Sequence, residues 1–169
     1  MVFLLVTVVA VTAMVVWAAA ASLGAASFTS NGAAISGWYW LRSAGHTATW
    51  TFDGAQLAGA DPTKVYLNVT ALVTNGVNGG SGYETPIKLR VSSPSGSQTV
   101  TVVLKNPFKP KDPENSGGLG YPCYGSGGSL NSKIVKGGGE IQITASYPFT
   151  KGYHVAVNKG SVVMGYVRK

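Results

Sequence analysis

Charged side chains are scarce in this sequence. Asp, Glu, Lys and Arg make up 11% of its 169 residues, against roughly 25% in an ordinary soluble domain. The net charge is +7, but the basic residues are scattered. Their densest group, Lys105, Lys109 and Lys111, lies among prolines beside Asp112 and Glu114. That pattern fits a solvated loop better than a phosphate-binding arm, so no nucleic-acid partner is expected. A single cysteine, Cys123, excludes an internal disulfide. The two histidines, His46 and His154, have no Cys or His neighbours at zinc-ligand spacing. Only Asp112 and Glu114 bring acidic oxygens close together, and no EF-hand pattern surrounds them. The glycine-rich stretches lack the spacing of a dinucleotide fingerprint or a P-loop, and no G-x-S-x-G elbow occurs. These gaps lead to the expectation of a non-enzymatic protein without metal or cofactor.

Glycine, present 23 times, stands in place of the charges, together with serine, threonine and asparagine. Hydroxyls and amides therefore solvate the surface, as in secreted β-rich proteins and filament subunits. Residues 1–27 contain no charge at all. As a helix they would span about 40 Å, more than the ~30 Å hydrocarbon core of a bilayer. Three readings of this segment compete. Ala18 and Ala20 would fit the cleavage site of a signal peptide, yet no lysine or arginine precedes the apolar run. A plain membrane anchor would lack its cytoplasmic lysines. The third reading is a retained helix packed against copies of itself. Ala20 with Gly24, and Ala21 with Ala25, are small-xxx-small pairs that permit close helix–helix approach, and Val11 lies in the middle of the apolar run. Val2, Val6, Val8, Val9 and Val11 also allow a strand donated to a neighbouring subunit. However, apolar residues occupy both parities and an alanine run follows, which favours helix over strand.

In this architecture the chain resembles an archaeal type IV pilin, whose subunits begin with a long apolar helix and continue into a β-rich head. Leu5 stands where bacterial type IV pilins carry a glutamate. The resemblance implies a fibre core of bundled helices, with β domains packed around it as a sheath.

From residue 35 onward the pattern changes to short alternating segments and turn signals. Strands are predicted at 47–52, 64–73, 87–92, 98–104, 140–146, 153–158 and 161–167. The clearest hairpin joins 87–92 to 98–104. Ile87, Leu89 and Val91 share one parity, and Lys88, Arg90 and Ser92 the other. The expected fold class is an N-terminal hydrophobic α-helix plus an all-β domain, an antiparallel β-sandwich of jelly-roll or immunoglobulin-like kind. The expected organisation is a helix over 1–27, a linker over 28–34 and a β-sandwich head over 35–169. Residues 105–139 read as a long Gly/Pro-rich loop, and Phe108, Tyr121 and Tyr124 would anchor it between subunits. Trp38 and Trp40 share a strand face and suggest sugar stacking, against the alternative of core or interface packing. Asn68-Val69-Thr70 is an N-glycosylation sequon, with Asn68 on the parity opposite the apolar residues of its strand.

The functional expectation is a structural subunit of an extracellular, cell-surface filament that acts in adhesion or surface contact. Its partners would be copies of itself, a membrane before assembly, and surface glycans. A secreted or anchored carbohydrate-binding β-sandwich is the alternative.

Overall fold

The computed structural model describes residues 20–74, 84–105, 120–149 and 153–169. The fold is all-β. Its strands are β1 (Ala20–Gly24), β2 (Ser27–Ser30), β3 (Ala33–Ile35), β4 (Trp38–Leu41), β5 (Thr47–Asp53) and β6 (Ala60–Thr74). They continue with β7 (Glu84–Ser93), β8 (Gly96–Lys105), β9 (Tyr121–Ser129), β10 (Glu140–Ser146), β11 (His154–Val157) and β12 (Val162–Arg168). One short helix, α1 (Ser132–Lys136), is the only α-helix among the described residues.

The strands form one continuous antiparallel sheet in the order β2-β5-β10-β7-β8-β9-β6-β11-β4-β3. Strand β6 is long enough to carry two neighbours on one edge. It pairs with β12 between Ala60 and Val69 and with β11 between Leu72 and Thr74. Strand β1 adds to the far side of β12. Inward residues of both halves, such as Trp50, Phe52 and Ile143 from one and Leu67, Val69 and Met164 from the other, belong to a single buried cluster. A sheet whose two halves share one core has folded onto itself, which makes the architecture β-sandwich-like.

The bend falls between β8 and β9, which pair at Lys105 and Tyr124. Glycine makes the close approach feasible there. A Cβ on Gly125 would lie 2.6 Å from both Val102 Cγ1 and the Val103 carbonyl oxygen, and one on Gly128 would collide with the Val100 side chain. Trp50 then ties the halves together. Its ring is fully buried, and its Nε1 donates to the Asn158 carbonyl at 2.9 Å, at the corner between β11 and β12. Phe28 packs on the Trp50 ring at 5.3 Å, and Tyr39 packs edge-on to Phe28 at 5.4 Å. The Asn158 corner is itself fixed: its side chain accepts from Gly160 N, while Ser161 Oγ accepts from Asn158 N.

Three sequence expectations change. The helix expected over 1–27 is overturned in its described part. Ala20, Ala21 and Gly24 lie in strand β1, and Ala25 follows it. Ala21 is half-buried and Leu23 buried, whereas Ala20, Ser22 and Gly24 are exposed. This is the two-residue period of a half-buried strand. Small residues tolerate either backbone state, and the open edge of β12 supplies the hydrogen-bond partners that select the strand. Residues 1–19, Val11 among them, lie outside the described residues. The expected linker over 28–34 is mostly strand, in β2 and β3. The loop expected over 105–139 contains β9 and α1. Strand β9 carries no alternating apolar pattern: of Pro122 to Ser129 only Cys123 is a buried apolar residue, and glycines fill much of the remainder. Phe108 lies outside the described residues.

Replacing Trp50 should reveal the cross-link between the halves. Trp50→Ala removes a fully buried ring, and a loss of about 3–5 kcal/mol is expected. Trp50→Phe keeps most of the packing but strips the Asn158 carbonyl of its donor, for an expected loss of about 1–3 kcal/mol. Urea denaturation monitored by circular dichroism measures both.

Candidate functional site

The fold offers three kinds of surface: two outer sheet faces and the free strand edges. On the β2-β5-β10-β7-β8 half, cross-strand register lines up outward residues into rows. One row runs Thr29, Thr49, Thr144, Arg90, Thr99, and the next runs Ser27, Thr51, Gln142, Ser92, Ser97. Thr49 Oγ1 and Thr144 Oγ1 lie 3.0 Å apart, within hydrogen-bond reach. Across both rows Arg90 is the only charge, so along them the face meets water mainly through hydroxyls and amides, and Lys88 and Glu140 stand on the same face beyond the two rows.

The other outer face is built on β6, β9 and β12. Tyr66, Asn68 and Thr70 of β6 point outward between the buried Val65, Leu67, Val69 and Ala71. In register with them on β9, Ser126 stands opposite Asn68, and Tyr124 opposite Thr70. The Tyr124 ring is 51% exposed. A groove of about 330 Å³ runs between these residues. On the β12 side, Gly165 lets the Tyr66 ring lie on the sheet: a Cβ there would fall 2.5 Å from Tyr66 Cε2 and 3.0 Å from Asn68 Nδ2. Asn68 is thus turned outward, as its parity implied.

The expected tryptophan platform is not offered to solvent. Trp38 is half-buried, and Trp40 is buried at 3% exposure. Trp40 packs where the chain at Gly120 passes: a Cβ on Gly120 would come within 2.9 Å of Trp40 Cη2. Strand β4 is flanked by β3 and β11, so both of its edges are paired. Of the loop aromatics, Tyr121 and Tyr124 are both strand residues of β9. The outward set of Tyr66, Thr70 and Ser126 was missed. Alternation in 64–73 already placed Tyr66, Asn68 and Thr70 on one side, but nothing in the glycine-rich β9 sequence indicated what stood beside them.

Reactive side chains are dispersed. The Cys123 thiol is buried, and burial pushes its pKa up to about 11, which keeps it protonated. Burial, followed by the nearby positive charge of Arg42, lowers the pKa of His154. His46 Nδ1 lies 3.1 Å from the Trp40 carbonyl oxygen. Among the described residues, no three His, Cys, Asp or Glu side chains gather as a metal site, and no helix is long and apolar enough to cross a membrane.

The free edges are β1, β2 and β3, each paired on one side only among the described residues. Their sequences are AASLG, SFTS and AAI. None contains a charge or a proline, and the first charged residue in the whole chain is Arg42. Ile35, at the end of β3, is 40% exposed.

The buried thiol gives a direct test of the core around β9. In the native protein Cys123 should react with a disulfide reagent at pH 8 at least about a hundredfold more slowly than in urea, since only the accessible thiolate attacks. The unfolded thiol ionises near 9.0 and the folded one near 11. Between those values the unfolded chain releases a proton that the folded chain keeps, so stability falls as pH rises. Cys123→Ala should lack this component, and its stability deficit relative to the parent should shrink from pH 8 to pH 11 in urea titrations.

Compared with protein-family models, curated proteins and solved structures, the chain matches none, and the functional reading rests on its own residues.

Proposed function

We propose that this chain is a structural subunit that assembles with copies of itself through its open strand edges, at the outside of the cell. The observation that carries the reading is the composition of those edges. An edge strand presents unpaired N–H and C=O groups to any extended chain, and monomeric proteins blunt that template with lysine, proline, bulges or inward charges. Strands β1, β2 and β3 carry no charge and no proline. Assembly here is pairing of backbone with backbone, in the manner of β-strand addition. Each inter-chain hydrogen bond contributes about 0.5–1.5 kcal/mol net, so a few residues per edge give a contact that gains strength by repetition. This mode replaces the helix-bundle core implied by the pilin resemblance.

The hydroxyl-rich outer face suits the same role. A subunit exposed along a fibre needs a surface that stays wet without drawing in oppositely charged partners, and Ser/Thr rows supply it. The net charge of +7 opposes the approach of like copies until salt screens it. At 0.1 M ionic strength the screening length is about 10 Å, shorter than a subunit.

Light scattering and electron microscopy of the purified full chain test the proposal. Polymers should form, and form faster as salt rises. Ser22→Lys, Thr29→Lys and Ala34→Lys each place a charge on an exposed residue of one edge. At least one of them should abolish assembly while circular dichroism and Tm stay unchanged. A parent chain that remains monomeric at every concentration and salt level, or polymers indifferent to all three lysines, would refute edge assembly.

A further inference from the structure

We propose that the groove on the outer face of β6 and β9 is a binding site for a neutral, extended oligosaccharide, with Tyr124 as its stacking ring and Asn68, Thr70 and Ser126 as its hydrogen-bonding groups. The proposal is independent of edge assembly, because the groove lies on a sheet face and uses none of the edge strands.

Four observations converge on it. The first is the ring itself. Tyr124 is 51% exposed, the most exposed large apolar side chain among the described residues. Along β9 its neighbours on the same face are Pro122 and Ser126, both exposed like Tyr124 itself, so the ring stands in an outward row of the strand. A tyrosine ring held in this way presents an apolar plane to the C–H face of a pyranose, while its hydroxyl remains free for the sugar's own.

The second is the chemistry of the floor. Asn68 offers both a donor and an acceptor, and Thr70 and Ser126 each offer a hydroxyl that can serve as either. Among the described residues, none of these three side chains, nor the Tyr124 hydroxyl, is engaged in a hydrogen bond within the protein. Each sugar hydroxyl both donates and accepts, and a cluster of amide and hydroxyl groups satisfies both roles.

The third is charge. The residues lining the groove carry none. Lys105, the register partner of Tyr124, stands at the rim on β8. A neutral floor suits a neutral ligand, since an ionised one would have to shed water against lining residues that carry no counter-charge.

The fourth is shape. The groove volume of about 330 Å³ lies at the small end of ligand sites, roughly 300–1,000 Å³, and it is open rather than enclosed. A second ring extends it. Tyr66 lies on Gly165 beside Asn68, four residues from Thr70 along β6, or roughly 13 Å at strand rise. Two tyrosines bracket the amide and hydroxyls, which fits a linear chain of sugars lying along the strand better than a single monosaccharide.

The test uses the full chain expressed without glycosylation, so that Asn68 is bare. It is titrated calorimetrically with neutral hexasaccharides, a β-1,4-linked glucose hexamer and an α-1,4-linked glucose hexamer, and with a hexamer of uronic acid as the charged control. Binding of at least one neutral hexamer is expected, with weaker or no binding of the uronate. Tyr124→Ala should weaken that binding at least about tenfold, Tyr124→Phe should largely retain it, and Asn68→Ala should weaken it about threefold or more. Gly165→Ala, which displaces Tyr66, should lower affinity for the hexamer more than for a disaccharide of the same linkage. Arg90→Gln, on the opposite half, should leave binding unchanged. Tm measured on each variant separates lost binding from lost folding, and Tyr124→Phe covers the case in which the alanine variant is unstable. The proposal falls if neither neutral hexamer binds, if the uronate binds more tightly, or if Tyr124→Ala binds like the parent. It falls equally if Tyr124→Ala affects only association between copies, which would make the groove a subunit contact.

Discussion

The close passage of β8 over the glycines of β9 is the constraint on which the remainder of the fold depends. One sheet can enclose a core only if it turns back on itself, and the turn must occur where side chains do not prop the strands apart. Gly125 and Gly128 leave room for Val100, Val102 and the Val103 backbone, so the β7–β8 hairpin can close over β6. The apolar parities of β5, β10, β7 and β8 then meet those of β6, β11 and β12 in one cluster. The indole hydrogen bond from Trp50 to Asn158 fixes the facing halves at a single point, where burial alone would allow them to slide.

Once the core is enclosed, the surface is left to small polar side chains. Many outward residues on β2, β5, β10, β7 and β8 fall into two cross-strand rows of Ser, Thr and Gln broken only by Arg90. Their hydroxyls replace ionic solvation, which accounts for a charge content of 11% in a chain with a well-filled interior. The same economy reaches the strand edges, where it has the opposite consequence. A hydroxyl on a sheet face is inert toward another sheet, but an edge without lysine or proline invites pairing. In the proposed assembly the faces and the edges would divide the work, solvation on one and association on the other. Tyr124 and the polar groups around it break the uniformity of the second outer face, and the proposed sugar site uses that break.

The sequence by itself determined the strands with strict two-residue alternation. In β5, β6, β7, β8 and β10, β-branched and aromatic residues largely alternate with polar ones, and such a pattern buries its apolar set in only one register. The outward parity of Asn68 and Thr70 followed from the same rule. Only tertiary structure decided β1 and β9. Ala20 to Gly24 is compatible with a helix or a strand because small side chains express no period strongly, and the free edge of β12 settles the choice. The strand character of β9 depends on what its glycines permit β8 to do, which no local pattern encodes. Tryptophan was the louder signal for a stacking platform, yet Trp40 is covered on the side away from the core by the chain at Gly120, while Tyr124 stands clear. Alternation states which residues share a face. Whether that face is covered depends on segments distant in sequence, and the packing of the whole chain decides it.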